Sequence, residues 1–307
     1  MSNLMVRHRR SVAMCSMLLM IMAVLAWGAS VSDAEPIVGV TSTNVLLFFD
    51  SATPGTTSSV TVTGLVGGDT IRAIDRRPVN GALYALGSGS RLYSINTATG
   101  AATQVGSDGA FTLSGTAFGF DFNPTVDRIR VTSNIGQDLR LNPNDGTLTA
   151  TDIALAYGAA DVNFGRAPSV VGSAYTNNFS GAATTTLFDI DSGLDLLAIQ
   201  NPPNNGTLNT VGALGFNTSD LVGFDISGLS ALAFASLTSP TGSASQLFTV
   251  NLGTGAATLV GTIGSGFLVS DIAVSVASPA VPEPSTMSLL GVGLGVALAA
   301  YRRRTRR

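Results

Sequence analysis

Five aspartates recur at one place in a repeating pattern: Asp75, Asp121, Asp161, Asp225 and Asp271. The first two and the fourth close similar segments, Ile71-Arg72-Ala73-Ile74-Asp75, Ala117-Phe118-Gly119-Phe120-Asp121 and Leu221-Val222-Gly223-Phe224-Asp225, and weaker versions end at Asp161 and Asp271. Carboxylates gathered round one axis repel each other unless they are hydrogen-bonded, protonated or bridged by a cation. A ligand set made only of oxygen suits Ca²⁺. The same residues can equally be struts that accept N–H bonds from turns of their own or a neighbouring repeat, the commoner use of a repeated Asp. A second acidic run, Asp189-Ile190-Asp191-Ser192-Gly193-Leu194-Asp195, has calcium-loop spacing but lacks the closing Glu of an EF-hand. It also matches ordinary hairpins elsewhere in the chain, so it reads as a turn. Arg128 and Arg130 stand at alternate positions beside Asp127. On a strand they share one face and could grip a carboxylate or a sugar acid, or join an Arg–Asp network between repeats. Tyr84, Tyr93, Tyr157 and Tyr175 could stack on sugars, but their positions in apolar runs read as core. The Gly-rich stretch Gly261 to Gly266 precedes no helix and is no phosphate cradle.

What is missing narrows the chemistry. The only Cys is Cys15 and the only His is His8, and residues 35–280 hold no Lys. That region therefore has no thiol nucleophile, no imidazole acid or base, no Ser-His-Asp triad, no Schiff-base lysine and no usual zinc, copper or haem site. Its only Glu is Glu35, so the carboxylate pair of a glycosidase would have to come from Asp. Eight arginines face seventeen carboxylates there, a net charge of −9, which opposes binding to nucleic acid.

These residues must be positioned by strands. Short β-branched and aromatic runs alternate with Gly, Asn, Asp, Pro and Ser turns, and no long stretch keeps a helical period. A hairpin unit (Leu, apolar, any, apolar, Asn or Asp, then a Gly-ended turn) recurs at Leu46–Asp50, Leu92–Asn96, Asp138–Asn142, Leu187–Asp191 and Leu247–Asn251. It alternates with the Asp-ended unit, and a full period has about four strands over about 45 residues, the size of a propeller blade. The first hairpin unit lacks an Asp-ended strand before it, and the last Asp-ended strand lacks a hairpin unit after it. Joining them predicts an all-β fold, a five-bladed β-propeller of four-stranded blades. Residues 39–64 and 268–277 then share one blade, so that N- and C-terminal strands close the ring. A β-sandwich or another repeat barrel, or a sixth blade within 167–216, are the alternatives.

The ends read as addresses. Arg7, His8, Arg9 and Arg10 precede an apolar run to Trp27 and the small-x-small site Ser32-Asp33-Ala34, which predicts a signal peptide over 1–34 cleaved after Ala34 by signal peptidase. A retained anchor is the alternative. At the other end, Pro282-Glu283-Pro284 leads into an apolar segment, 286–301, and the basic cluster Arg302-Arg303-Arg304-Thr305-Arg306-Arg307. That pattern predicts a membrane segment with the cluster in the cytoplasm and residues 35–280 outside it. In this order the three parts of 281–307 resemble the PEP-CTERM sorting signal. The resemblance implies recognition by an exosortase, removal of the tail near Pro-Glu-Pro, and a Gram-negative envelope that often carries extracellular polysaccharide.

Three segments of the middle region resemble the bacterial family called domain of unknown function 4394: Gly81-Ala82-Leu83-Tyr84-Ala85-Leu86-Gly87, Gly119 through Val131, and Ala174-Tyr175-Thr176-Asn177-Asn178. The resemblance implies propeller-like repeats and frequent export, and no activity. The expectation is an exported envelope or matrix protein that binds glycan or an envelope protein, or has a structural role, without catalysis. The alternatives are a polysaccharide hydrolase working through Asp and a calcium-stabilised scaffold. No cofactor is expected, Ca²⁺ aside.

Overall fold

The structure is a computed structural model that describes residues 34–276. The expected signal peptide up to residue 33, the Pro-Glu-Pro motif and the membrane segment 286–301 lie outside the described residues. Among the described residues no helix is long and apolar enough to cross a membrane.

Among the described residues twenty-one strands form five sheets, antiparallel apart from one added rim strand, arranged as the blades of a propeller. Blade I orders β21 (Val269–Val274), β1 (Pro36–Thr41), β2 (Val45–Asp50) and β3 (Thr53–Thr61) from the axis outward. Blade II runs β4 (Ile71–Arg76), β5 (Leu83–Gly87), β6 (Arg91–Ile95), β7 (Ala102–Val105). Blade III runs β8 (Phe118–Asn123), β9 (Arg128–Ser133), β10 (Asp138–Leu141), β11 (Leu148–Thr151). Blade IV runs β13 (Val170–Tyr175), β14 (Leu187–Asp191), β15 (Leu196–Gln200), β16 (Thr207–Ala213), with the short β12 (Ala156–Tyr157) added in parallel at its rim. Blade V runs β17 (Val222–Ile226), β18 (Ala233–Leu237), β19 (Gln246–Val250), β20 (Ala257–Thr262). The shared blade expected from the unpaired first and last units is present: β1 pairs β21 from Ile37↔Val274 to Thr41↔Val269. Ring closure thus depends on main-chain bonds between residues more than two hundred positions apart.

Burial falls outward within each blade. The inner strands β13 and β17 are buried at every residue, whereas the outer strand β20 is not buried anywhere. An inner strand has neighbours on both faces, so most of its residues are apolar or very small, and its aspartates are buried with them. Gly223 shows how close the backbones come: a Cβ there would sit 2.5 Å from the Ile272 nitrogen. The hairpins after β6, β10 and β19 share one chemistry. Asn96, Asn142 and Asn251 accept N–H bonds from residues two ahead with their side chains, and Gly100, Gly146 and Gly255 close the turns at φ 74°, 69° and 80°.

Blade IV departs from the expected frame. The repeat pattern places Leu187–Asp191 with the third strands β2, β6, β10 and β19, but it is the second strand, β14. The true third strand is β15, Leu196–Gln200. Residues 152–169 hold loops and β12 in place of an inner strand, so the frame slips by one strand there. The apolar-Asp-turn signature misled because any buried strand that ends in a capped turn carries it.

Candidate functional site

Cross-strand register shows which inner-strand positions are equivalent. Asp75 faces Tyr84, Asp121 faces Arg130 and Asp225 faces Phe234. The same place is Ala174, facing Phe188, in blade IV, and Ala273, facing Val38, in blade I. Asp271 therefore lies two residues earlier in its strand, on the same face but at another level. Asp161 is on no strand. Its carboxylate accepts the Asn163 N–H at 2.8 Å and, at 2.6 Å, the N–H of Thr210 in the rim strand β16. The five-membered ring is thus corrected to three equivalent carboxylates, one offset carboxylate and one strut at the rim. A loop with good turn chemistry at Asp161 cannot be told from a strand end by pattern alone.

The four inner aspartates share one task. Each accepts an N–H from the inner strand of the next blade: Asp75 from Phe122 at 2.8 Å, Asp121 from Tyr175 at 3.2 Å, Asp225 from Val274 at 2.6 Å and Asp271 from Ile74 at 2.8 Å. Asp75, Asp225 and Asp271 also accept the N–H of the residue that follows each. Burial pushes the Asp75 and Asp121 carboxyls well above the ordinary range, and the mutual repulsion with Asp225 adds to it. Burial raises Asp225 to about 7 against the pull of the Val274 and Ile226 N–H groups, and burial likewise raises Asp271.

The blade interfaces divide into two kinds. Apolar clusters fill the seams between blades I and II, II and III, IV and V, and V and I. The seam between III and IV is built round polar side chains; a fifth apolar cluster, which includes Leu155, Tyr157, Val170 and Leu196, packs the connecting segment on blade IV and holds no strand residue of blade III. Arg130 stands where blades II and V have Tyr84 and Phe234, and Thr132 and Asp138 replace the facing pair Leu86 and Leu92. Arg130 is 2% exposed. Its NH1 donates to Asp138 and to Asp152 at 2.6 Å each, its NH2 to Asn204 at 2.8 Å and its Nε to the Tyr175 hydroxyl at 3.3 Å. Burial pulls this guanidinium down, but Tyr175 and Asp138 hold it above its ordinary value. Burial raises the Asp138 carboxyl to about 6 in spite of Arg130. Further inside, Thr132 Oγ1 bonds Ser173 Oγ at 2.8 Å, and Ser173 donates to Asp189 at 2.6 Å. Buried Asp189 is raised to about 7 by desolvation, and its Oδ2 has no partner among the described residues.

Above this network the seam opens into a cavity of about 420 Å³ lined by Arg128, Arg130, Arg140, Asn123, Tyr175 and the segment Pro202–Asn205. Arg140 grips Asp152 with Nε and NH2 at 2.7 and 2.8 Å. Arg128 donates one N–H to the Asp127 carbonyl at 2.8 Å. The other nitrogens of Arg128 and NH1 of Arg140 make no hydrogen bond among the described residues. Asp127 itself is claimed by Arg77. The strand alternation that put Arg128 and Arg130 on one face holds; Arg140 joins them because it is the cross-strand partner of Arg130, a pairing that needs the register.

The other singled-out residues are structural. Tyr84, Tyr93, Tyr157 and Tyr175 are buried, with hydroxyls bonded to Arg77, Asp69, Asp191 and Arg130, and offer no sugar platform. Asp191 caps its turn through the N–H groups of Gly193 and Leu194 at 2.9 and 3.2 Å, as the turn reading of 189–195 requires.

A family model described as "Domain of unknown function (DUF4394)" matches residues 45–273, and one described as "PEP-CTERM protein-sorting motif" matches 280–307. Among solved structures, the chain is similar to a putative 6-phosphogluconolactonase from Bacteroides uniformis (14% identity, 76% of this chain and 84% of that one, TM-score 0.42). It is also similar to a chain of a nidogen/laminin complex (12% identity, 80% and 100%, TM-score 0.45). Likenesses this distant carry no information on function. No curated protein matches.

Proposed function

We propose that this chain, which belongs to the DUF4394 family and carries a PEP-CTERM tail that marks it for export, is a non-catalytic binding propeller that holds an acidic saccharide by its carboxylate. One observation carries the reading: the seam between blades III and IV, polar round Arg130, opens into a cavity where three guanidiniums converge, two of them with N–H donors unspent among the described residues. In a region of net charge −9, three of eight arginines in one cavity are a local reversal of sign. A guanidinium fork matches a carboxylate in shape and charge. Arg130, locked by four bonds, forms a fixed floor, and Arg128 and Arg140 can close on the ligand. Asn123, Asn204 and Asn205 supply amides suited to sugar hydroxyls.

Turnover is not part of the proposal. Asp138 and Asp152 are committed to Arg130 and Arg140, which leaves no carboxylate pair facing the cavity. Calorimetric titration of the purified chain with oligogalacturonate, with neutral dextran oligomers as control, tests the reading. Saturable binding of the acidic oligomer is expected, weakened tenfold or more by Arg128→Gln, a side chain with no ion pair to lose. Equal affinity for the neutral oligomer, or an unchanged affinity in Arg128→Gln, would sink it. Reducing ends released on incubation would replace it with the hydrolase alternative.

A further inference from the structure

We infer that Asp75, Asp121 and Asp225, at the inner strands of blades II, III and V, form a binding site for a hard divalent cation, calcium. One carboxylate oxygen from each lies within 4.8 Å of one from both others, and all three residues are buried. Oxygens bound at calcium's distance of about 2.4 Å on opposite sides of the ion stand about 4.8 Å apart. Three carboxylates at this spacing therefore fit inside one coordination shell and supply roughly half of its six to eight oxygens, with water to complete it.

Two further observations point to a ligand. The Oδ2 of Asp121 is buried without any hydrogen-bond partner among the described residues, although Oδ1 is held by the Tyr175 N–H. A carboxylate oxygen shut away from donors is costly unless something positive meets it. Glu35, 3% exposed and outside the group of three, has two carboxylate oxygens with no partner among the described residues. Its charge acts on Asp225. Arg76 is a cation that acts on Asp75 and Asp225. Arg76 gives one bond to the Gly81 carbonyl, and its Nε is buried unpartnered. One guanidinium against the three carboxylates leaves a formal charge of −2, which a divalent ion matches. The N–H groups of Phe122, Tyr175 and Val274 fix the three carboxylates in place across blades, so the ion would join blades II, III and V through side chains the backbone already orients. The donor set contains no nitrogen or sulfur, which selects a hard ion over zinc or copper.

The test is thermal melting of the full purified chain at pH 7.5 in chelator, then in CaCl₂, MgCl₂ or MnCl₂, with the metal content after dialysis measured by elemental analysis. Calcium at about a hundred times its Kd is expected to raise Tm by roughly 5–10 °C and to be retained at one equivalent. Asp121→Asn keeps an acceptor for the Tyr175 N–H and removes one charge. It is expected to abolish most of the calcium shift while melting cooperatively in chelator. Asp75→Asn gives the same readout if the first variant does not fold. A wild-type chain whose Tm ignores all three ions holds its carboxyls with protons, which overturns the inference. A calcium shift undiminished in both variants also overturns it, by placing the ion elsewhere.

Discussion

Replacing Asp189 by Asn isolates the cost of a buried carboxyl in the polar seam. Asp189 is fully buried, accepts only the Ser173 hydroxyl at 2.6 Å, and is raised from 3.8 to about 7 by desolvation. In the unfolded chain it titrates near 4. Between about pH 4 and pH 7 the folded state therefore holds a proton that the unfolded state has lost, and stability falls as pH rises through this window. One pH unit corresponds to about 1.4 kcal/mol, so from pH 5 to pH 7 this residue costs the wild type about 3 kcal/mol. Asn does not titrate, and its amide oxygen still accepts from Ser173. Its amide nitrogen takes the unpartnered Oδ2 position and costs about 1–3 kcal/mol at every pH. The variant should thus be equal to or less stable than the wild type at pH 5, and gain on it by about 3 kcal/mol on going to pH 7, roughly 5–10 °C in relative Tm. Differential scanning calorimetry of both chains in chelator from pH 5 to pH 8 measures this. A Tm difference that stays constant across the range would show that Asp189 does not hold its proton, and the burial argument would fail.

Other outcomes follow from the same contacts. In chelator the wild type should melt higher at pH 5 than at pH 8, because Asp138 and Asp225, raised to about 6 and about 7, shift stability in the same sense as Asp189; a rising Tm over that range contradicts it. Tyr175→Phe removes the acceptor for Arg130 Nε and should lower stability by about 1–2 kcal/mol in urea denaturation, with the Tyr175 N–H bond to Asp121 kept. Gly223→Ala puts a methyl against the blade I backbone and should cost about 3 kcal/mol or more, whereas Asp161→Ala, at the half-exposed rim, should cost about 1 kcal/mol by the same assay. A chain that ends before Val269 loses β21, and with it the inner strand of blade I, and should show no cooperative transition by calorimetry.

The strand count per repeat, the five blades and the way the ring closes are legible in the residue pattern. Those features are local and repeated: an apolar run, an Asn or Asp that caps the turn, and a Gly at positive φ behave alike wherever they occur, so copies reinforce each other. The unmatched strands at Leu46 and Asp271 were enough to predict that β21 joins β1. The pattern also places Arg128 and Arg130 on one face, since alternation along a strand has a fixed period. Register and neighbourhood emerge only when the strands pair and the blades pack. Only cross-strand pairing shows that Asp271 is two residues out of step with Asp75, Asp121 and Asp225, and that Ala174 and Ala273 fill the remaining places. Blade IV slipped by one strand because a capped loop at Asp161 carries the same residues as a strand end. The polar seam stayed hidden for a related reason: Arg130, Asp138, Asp152, Arg140 and Asn204 are spread over more than seventy residues, and a buried ion-pair network is made by packing two blades together, which no local pattern encodes.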